Sequence, residues 1–129
     1  MKFKPIVVVA GEPNSIFFEI FLKTVNKNKF KSPIILICSK ELLLKQSKIL
    51  NQKINFNEIK KITLLKNCKL KKINLINVNF NQNRAFEKIS SKSNEYINEC
   101  FKIGLDLMKS KISNKFINGP ISKETFLKN

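Results

Sequence analysis

Apolar runs without polar alternation recur along this chain, and each is followed by a segment whose apolar residues return at three- and four-residue spacing. The first run is Ile6-Val7-Val8-Val9-Ala10. A β-branched stretch of this kind reads as a strand buried on both faces, and we place it over residues 7–10. Gly11 gives the backbone freedom for a sharp exit, Glu12 and Pro13 form the turn, and Asn14 or Ser15 caps the next helix. That helix carries Phe17, Ile20, Phe21 and Thr24 on one stripe, with Phe18, Leu22 and Val25 beside it. A polar, lysine-rich break over residues 26–31, interrupted by Phe30, leads through Ser32-Pro33 to a second buried strand, Ile34 to Cys38.

Ser39 is a plausible N-cap for a helix over residues 40–50, with Leu43, Ser47 and Leu50 as one face and Leu42, Leu44 and Ile49 near it. Residues 51–70 are less regular and hold two short candidate strands, 54–56 and 62–65. Residues 73–78 form a better strand, placed at or near an edge because Asn74 and Asn77 interrupt it. Residues 79–86 read as loop. The longest helical pattern, 90–110, returns Tyr96, Ile97, Cys100, Phe101, Gly104, Leu107 and Met108 on one buried stripe. A short strand, Lys115 to Asn118, ends at Gly119-Pro120, and a helix follows over 121–127 with Pro120 or Ser122 near its start. Strands alternating with helices predict an α/β fold with a mostly parallel, twisted sheet and flanking helices.

Composition narrows the function. The 129 residues, 43% apolar, suit one domain and are too few for an ordinary two-domain enzyme. No apolar run approaches the roughly 20 residues that cross a bilayer. The basic start, Met1-Lys2-Phe3-Lys4-Pro5, precedes an apolar run too short for a signal peptide, so the expected location is the cytoplasm. Asn129 follows the last helical residues without a capping signal, and the chain reads as cut off rather than finished. With Cys38, Cys68 and Cys100 widely spaced and no histidine, a zinc finger is excluded and the cysteines read as buried free thiols. The net charge of +16 invites a nucleic-acid partner. Against it, Arg84 is the only arginine, and the lysines are dispersed in a chain saturated with Lys, Asn, Ile and Phe, the residues of A/T-rich codons.

Two loops stand out because two of the three glycines lie in them: Gly11-Glu12-Pro13-Asn14 and Gly119-Pro120-Ile121-Ser122-Lys123. Each follows a strand and opens a helix, so a parallel sheet delivers both to its carboxyl edge, where ligands bind. Helix N-termini there suit a phosphate or carboxylate, with Lys123 adding a point charge; ordinary strand-to-helix turns are the alternative. Neither loop is a Walker A or GxGxxG sequence. Without histidine no familiar nucleophilic triad forms, and Glu12, Glu19, Glu95 and Asp106 are too scattered to argue a carboxylate pair. Ser90 to Glu95 reads most simply as a capped helix start, with a binding loop as the alternative. These residues point to a phosphate- or anion-handling α/β domain.

Val8-Val9-Ala10-Gly11-Glu12-Pro13-Asn14-Ser15-Ile16 resembles the opening signature of 4-hydroxythreonine-4-phosphate dehydrogenases, and Glu19 falls where that family commonly has an acidic residue. Phe116 to Lys123 resembles the family's ITGP-[IV]-x-K strand and loop, and Ile89 to Tyr96 its intervening serine-containing stretch. The resemblance implies that residues 1–129 are the N-terminal part, a partial α/β/α domain, of a two-domain enzyme of the isocitrate/isopropylmalate dehydrogenase kind. Such enzymes act as homodimers, use NAD or NADP and a divalent metal, and oxidise a phosphorylated small molecule in vitamin B6 synthesis, the product then losing carbon dioxide. The family's metal histidines lie beyond this stretch and are not carried over, so the chain is assigned no catalytic and no metal residues. Its cofactor-binding residues are not assigned either. The cleft residues the resemblance assigns here are Gly11, Glu12, Pro13, Asn14, Gly119, Pro120, Ser122 and Lys123. The family's Ala-Gly-Ile-Gly-Pro is replaced by Asn14-Ser15-Ile16-Phe17-Phe18, which crowds the first loop. Two functions follow: the front of such a dehydrogenase, inactive as this fragment, or a non-catalytic basic module that holds a phosphorylated ligand or nucleic acid. A cut sheet also predicts poor solubility or self-association.

Overall fold

In a computed structural model, which describes residues 3–61 and 68–127, five parallel strands form one sheet. The strands are β1 (Ile6–Val9), β2 (Ile34–Cys38), β3 (Phe56–Glu58), β4 (Ile73–Asn77) and β5 (Lys115–Asn118), in the spatial order β3-β4-β2-β1-β5. The helices are α1 (Phe17–Lys27), α2 (Lys40–Ile49), α3 (Asn94–Lys109) and α4 (Lys123–Phe126). The α/β class with a mostly parallel sheet is what the alternating pattern predicts.

Alternation along each strand sends side chains to two cores. Val8, Leu36 and Leu75 pack beneath α1 and α2 with Phe18, Leu22, Leu42 and Leu43. Val7, Val9, Ile35 and Ile37 pack on the opposite face against Ile97, Cys100 and Leu107 of α3. Both faces of β2 are covered, which is why all five of its residues are buried and its sequence is uniformly apolar. The register sets Val9 beside both Ile37 and Asn118, so β1, β2 and β5 end level with one another.

Several elements depart from the sequence reading. The first strand spans residues 6–9, one position earlier than expected, although the Ala10 N–H still donates to the Ile37 carbonyl. The N-cap of α1 is Ile16, with no side-chain cap; Ser15 Oγ accepts the Phe17 N–H at 3.2 Å, and the Asn14 side chain is engaged elsewhere. The buried stripe of α1 is Phe18, Phe21 and Leu22, while Ile20 and Thr24 face solvent. The α1 stripe is rotated because the sheet lies on the Phe18/Leu22 side. On α2, Ser39 caps as expected by accepting the Leu42 N–H, Gln46 joins Leu42, Leu43 and Ser47 on the buried face, and Leu44 and Ile49 are exposed.

The short strand expected at 54–56 is observed as β3, at Phe56–Glu58, and the candidate at 62–65 lies outside the described residues. β4 is second from the edge, as its mixed composition predicts. Its Asn74 is fully buried and its side-chain amide donates to the carbonyls of Ile34 and Lys69, while its oxygen accepts the Lys69 N–H. The polar residue thus stitches a connection to the sheet rather than facing water. β5 is an edge strand and mostly exposed. A short 3-10 turn, Ser91–Ser93, starts the long helical pattern, and the C-terminal helix is one turn long instead of covering 121–127. Cys38 and Cys100 are buried free thiols, and Cys68 is half-buried.

Candidate functional site

The chain leaves β1 toward β2 on one side, whereas β5 lies on its other side. The carboxyl ends of β1 and β5 therefore flank the point where strand order reverses, which in open parallel sheets is the ligand crevice. Both glycine loops emerge there. They are joined by backbone hydrogen bonds: Gly119 N–H donates to the Val9 carbonyl at 2.7 Å, and Glu12 N–H to the Pro120 carbonyl at 2.7 Å.

Glycine is required at both crossings. Gly11 has φ +75°, a region that side chains penalise, and a Cβ there would stand 2.5 Å from the Pro120 oxygen. A Cβ on Gly119 would stand 2.0 Å from the Ala10 carbonyl oxygen and 2.8 Å from the Phe17 ring. The loops touch backbone to backbone, and no larger residue fits between them.

Glu12 is 3% exposed. Its carboxylate accepts the Asn14 N–H at 3.2 Å through Oε1 and the Ser93 hydroxyl at 3.2 Å through Oε2. A charged acceptor so placed fixes the turn and ties it to the start of α3. The Pro13 carbonyl accepts from Nε2 of the fully buried Gln46, which also donates to the Ala85 carbonyl. Asn14 exchanges side-chain hydrogen bonds with Gln82 in both directions and accepts the Glu87 N–H. The first loop is thus fastened to the 82–87 segment and to α2, not only to its partner loop.

The second loop is more open. Gly119 is buried, but Pro120 and Lys123 are exposed and Ser122 is half-exposed. Ser122 Oγ caps the single turn of α4 by accepting the Thr125 N–H at 3.4 Å. No ion pair involving Lys123 occurs among the described residues. Beside it, Asn94 donates to the Thr125 carbonyl at 3.3 Å, while Asn94 Oδ1 and Thr125 Oγ1 are shielded from solvent and have no hydrogen-bond partner among the described residues. Gln46 Oε1, behind the first loop, is likewise shielded and without a partner among the described residues, so such oxygens occur on both sides of the junction.

The structure accordingly sorts the eight residues proposed from sequence. Gly11, Glu12, Pro13 and Gly119 are buried framework, and Asn14 turns away toward the 82–87 segment. Pro120, Ser122 and Lys123 remain available to a ligand. Sequence reasoning missed Ser93 and Asn94 as part of the junction. Their sequence signals were the serine-rich helix start and the resemblance over Ile89 to Tyr96, neither of which pointed to a contact with Glu12. It also missed Gln46, whose place among leucines on a helix gave no hint of its two carbonyl partners. On the same sheet edge, a cleft of about 500 Å³ opens at the ends of β2 and β4 between Ser39, Lys40, Asn77 and Asn81, with Lys40 paired to Glu58 at 2.7 Å.

Beneath the junction, the buried face of α3 carries Tyr96 and Cys100. Burial pushes the Cys100 thiol from its ordinary 9.0 up to about 12 and holds the Tyr96 phenol well above its usual value. The phenol oxygen accepts the Ser39 N–H at 2.9 Å. Both groups are neutral and structural at ordinary pH, and they serve as floor rather than as nucleophile.

Neither a protein-family model nor a curated protein sequence matches the chain. Solved structures do. A 4-hydroxythreonine-4-phosphate dehydrogenase from Burkholderia phymatum superposes over 96% of this chain with a TM-score of 0.78 at 14% sequence identity. The 4-hydroxythreonine-4-phosphate dehydrogenase from Klebsiella pneumoniae superposes over 94% with a TM-score of 0.74 at 18% identity. The chain spans 38% of the length of each. Its fold is that of the N-terminal portion of 4-hydroxythreonine-4-phosphate dehydrogenases.

Proposed function

We propose that residues 1–129 are the N-terminal part of a 4-hydroxythreonine-4-phosphate dehydrogenase-like enzyme, and that they supply one wall of its substrate cleft. The observation that carries this reading is the hydrogen-bonded junction of the Gly11 and Gly119 loops at the reversal of strand order, in a chain whose fold matches such enzymes over nearly its whole length. In this reading Lys123 meets the phosphate of a phosphorylated small molecule as a point charge. The half-exposed hydroxyl of Ser122 orients the polar groups next to it. Gly11, Glu12 and Pro13 hold the wall in shape without touching the substrate.

The resemblance also implies NAD or NADP, a divalent metal and a homodimer. The residues of this chain do not fit the metal. The sequence has no histidine, and among the described residues no three His, Cys, Asp or Glu side chains gather to hold an ion. The Glu12 carboxylate is already committed to Asn14 and Ser93. No step through a metal is therefore assigned to this chain. Oxidation and the ensuing loss of carbon dioxide belong in this proposal to a full-length enzyme, and the 129-residue chain alone is inactive.

The test is titration of the chain with 4-hydroxythreonine 4-phosphate, following backbone amide resonances, alongside an assay of NAD and NADP reduction. Saturable shifts at Gly119, Ser122 and Lys123 without turnover are expected. Shifts elsewhere, or steady turnover by the chain alone, overturn the reading. The charge of +16 favours a second reading, a non-catalytic basic module for phosphorylated ligands or nucleic acid. Affinity that collapses steeply with salt, log–log, marks that module, because displaced counterions then drive binding.

A further inference from the structure

The sheet has a second recess at its opposite end. Ile34 and Ile73 are the first residues of β2 and β4, and together with Ile54 they floor a cavity of about 490 Å³ at the amino edge of the strands. That volume lies in the range of small-molecule sites, roughly 300–1,000 Å³. The recess shares no residue with the glycine-loop junction, which opens from the carboxyl ends of β1 and β5.

The chemistry of its lining has two halves. Ile34 and Ile73 are each 8% exposed and belong to the core beneath α1 and α2, so the floor is apolar and rigid. At the mouth, Leu70 is 53% exposed, an apolar side chain left in water. The rim carries Lys29, Lys71 and Lys72 and no Asp or Glu. Among the described residues the ion pairs are made by Lys23, Lys40 and Lys45, none of which lines this recess. An apolar floor beneath three cations without a carboxylate to neutralise them is complementary to one kind of molecule.

We propose that this cavity binds a small amphipathic carboxylate, with its hydrocarbon body on Ile34, Ile54 and Ile73 and its carboxylate at Lys29, Lys71 and Lys72. A neutral hydrocarbon would leave the lysines without a counter-charge at close range. A bare inorganic anion would leave the isoleucine floor wet. Only a ligand with both parts uses both halves of the site.

The experiment titrates the whole chain with octanoate while following isoleucine methyl resonances, with acetate and 1-octanol as controls. Octanoate is expected to shift the Ile34, Ile54 and Ile73 methyls saturably with one-to-one stoichiometry, and to bind at least about tenfold more tightly than either control. In the Lys71→Gln/Lys72→Gln variant, whose exposed side chains leave the melting temperature unchanged, octanoate affinity falls at least about fivefold. The proposal is overturned if octanol binds as tightly as octanoate, if the double variant binds unchanged, or if octanoate shifts resonances elsewhere or none. Because the reporters sit at the opposite edge from Gly119 and Lys123, this outcome is read independently of any binding at the glycine loops.

Discussion

The two loops at the carboxyl edge are alike in sequence and unlike in construction. Both place glycine where a strand exits, and both lead into a helix. The Gly11 loop is an internal fitting, with its glutamate buried and its proline carbonyl and asparagine side chain all bonded to other parts of the chain. The Gly119 loop is fixed to the first loop through the backbone of Gly119 and Pro120. Its Pro120 and Lys123 are exposed and Ser122 is half-exposed. One loop is spent on holding the edge together; the other leaves a cation and a hydroxyl open to solvent. A motif resemblance thus locates a junction, while only the bonding and exposure within it separate frame from contact surface.

Breaking the junction itself has the largest effect. Gly119→Ala drives a Cβ into the Ala10 carbonyl, a backbone atom that cannot turn aside, so we expect a loss of at least about 3 kcal/mol or failure to fold. Gly104→Ala is the matched control. Its Cβ would meet the Phe116 ring at 2.6 Å and a methyl of buried Val9 at 2.9 Å, but both are side-chain atoms rather than backbone, so thermal melting should show a smaller loss.

Alkali undermines both loops at once, because α3 supports each: Ser93 through Glu12 and Asn94 through Thr125. The Cys100 thiol titrates at about 12 in the native chain and near 9.0 once exposed. A folded value above the unfolded one means that the native state retains the proton longer, so the stability is complete below pH 9 and is lost as pH rises toward 12. The decline is about 1.4 kcal/mol per pH unit from this one group, and melting curves between pH 8 and 11 read it. Burial also raises the Cys38 thiol well above 9.0, so Cys100→Ala should reduce that slope without abolishing it. An unchanged slope would show that other groups set it.

Glu12→Ala separates the loops. It leaves the Asn14 N–H without its acceptor, while the Ser93 hydroxyl keeps the Ser90 carbonyl at 3.1 Å, and should cost about 1–2 kcal/mol in a denaturant titration. Since Glu12 is not a contact residue, phosphate-ligand binding by the folded fraction should be unaltered. Weakened binding at constant fold would return Glu12 to the contact surface.

Much of the fold was legible because burial on both faces leaves a mark in the residues: Ile34 to Cys38 could be little else than a central strand. β3 was displaced by two residues, since a three-residue strand beside Asn55 and Asn57 has almost no pattern of its own. The rotation of the α1 stripe was illegible for a different reason. Phe17, Phe18, Ile20, Phe21 and Leu22 spread the apolar residues of its first half over more than one face, and only the position of the sheet decides which face is inner. At the site, the glycines were readable from their scarcity. The roles of Gln46, Ser93 and Asn94 were not, because their partners lie 33, 81 and 31 positions away along the chain. No local window contains both ends of such a bond.

The smallest effect on stability belongs to the residue that decides the comparison. Lys123 is exposed and makes no ion pair among the described residues, so Lys123→Gln should change stability by no more than about 0.5 kcal/mol. If the open loop is the contact surface, the same substitution removes the point charge that meets the phosphate and weakens binding of 4-hydroxythreonine 4-phosphate about five- to tenfold, with Lys123→Arg restoring most of it. An equal loss for Lys115→Gln, on the exposed edge strand β5, would mean that diffuse positive charge rather than a built site attracts the ligand. The two substitutions differ by one lysine each in the same chain, so general electrostatics cancels between them. What remains is the geometry that only the Gly119 loop provides.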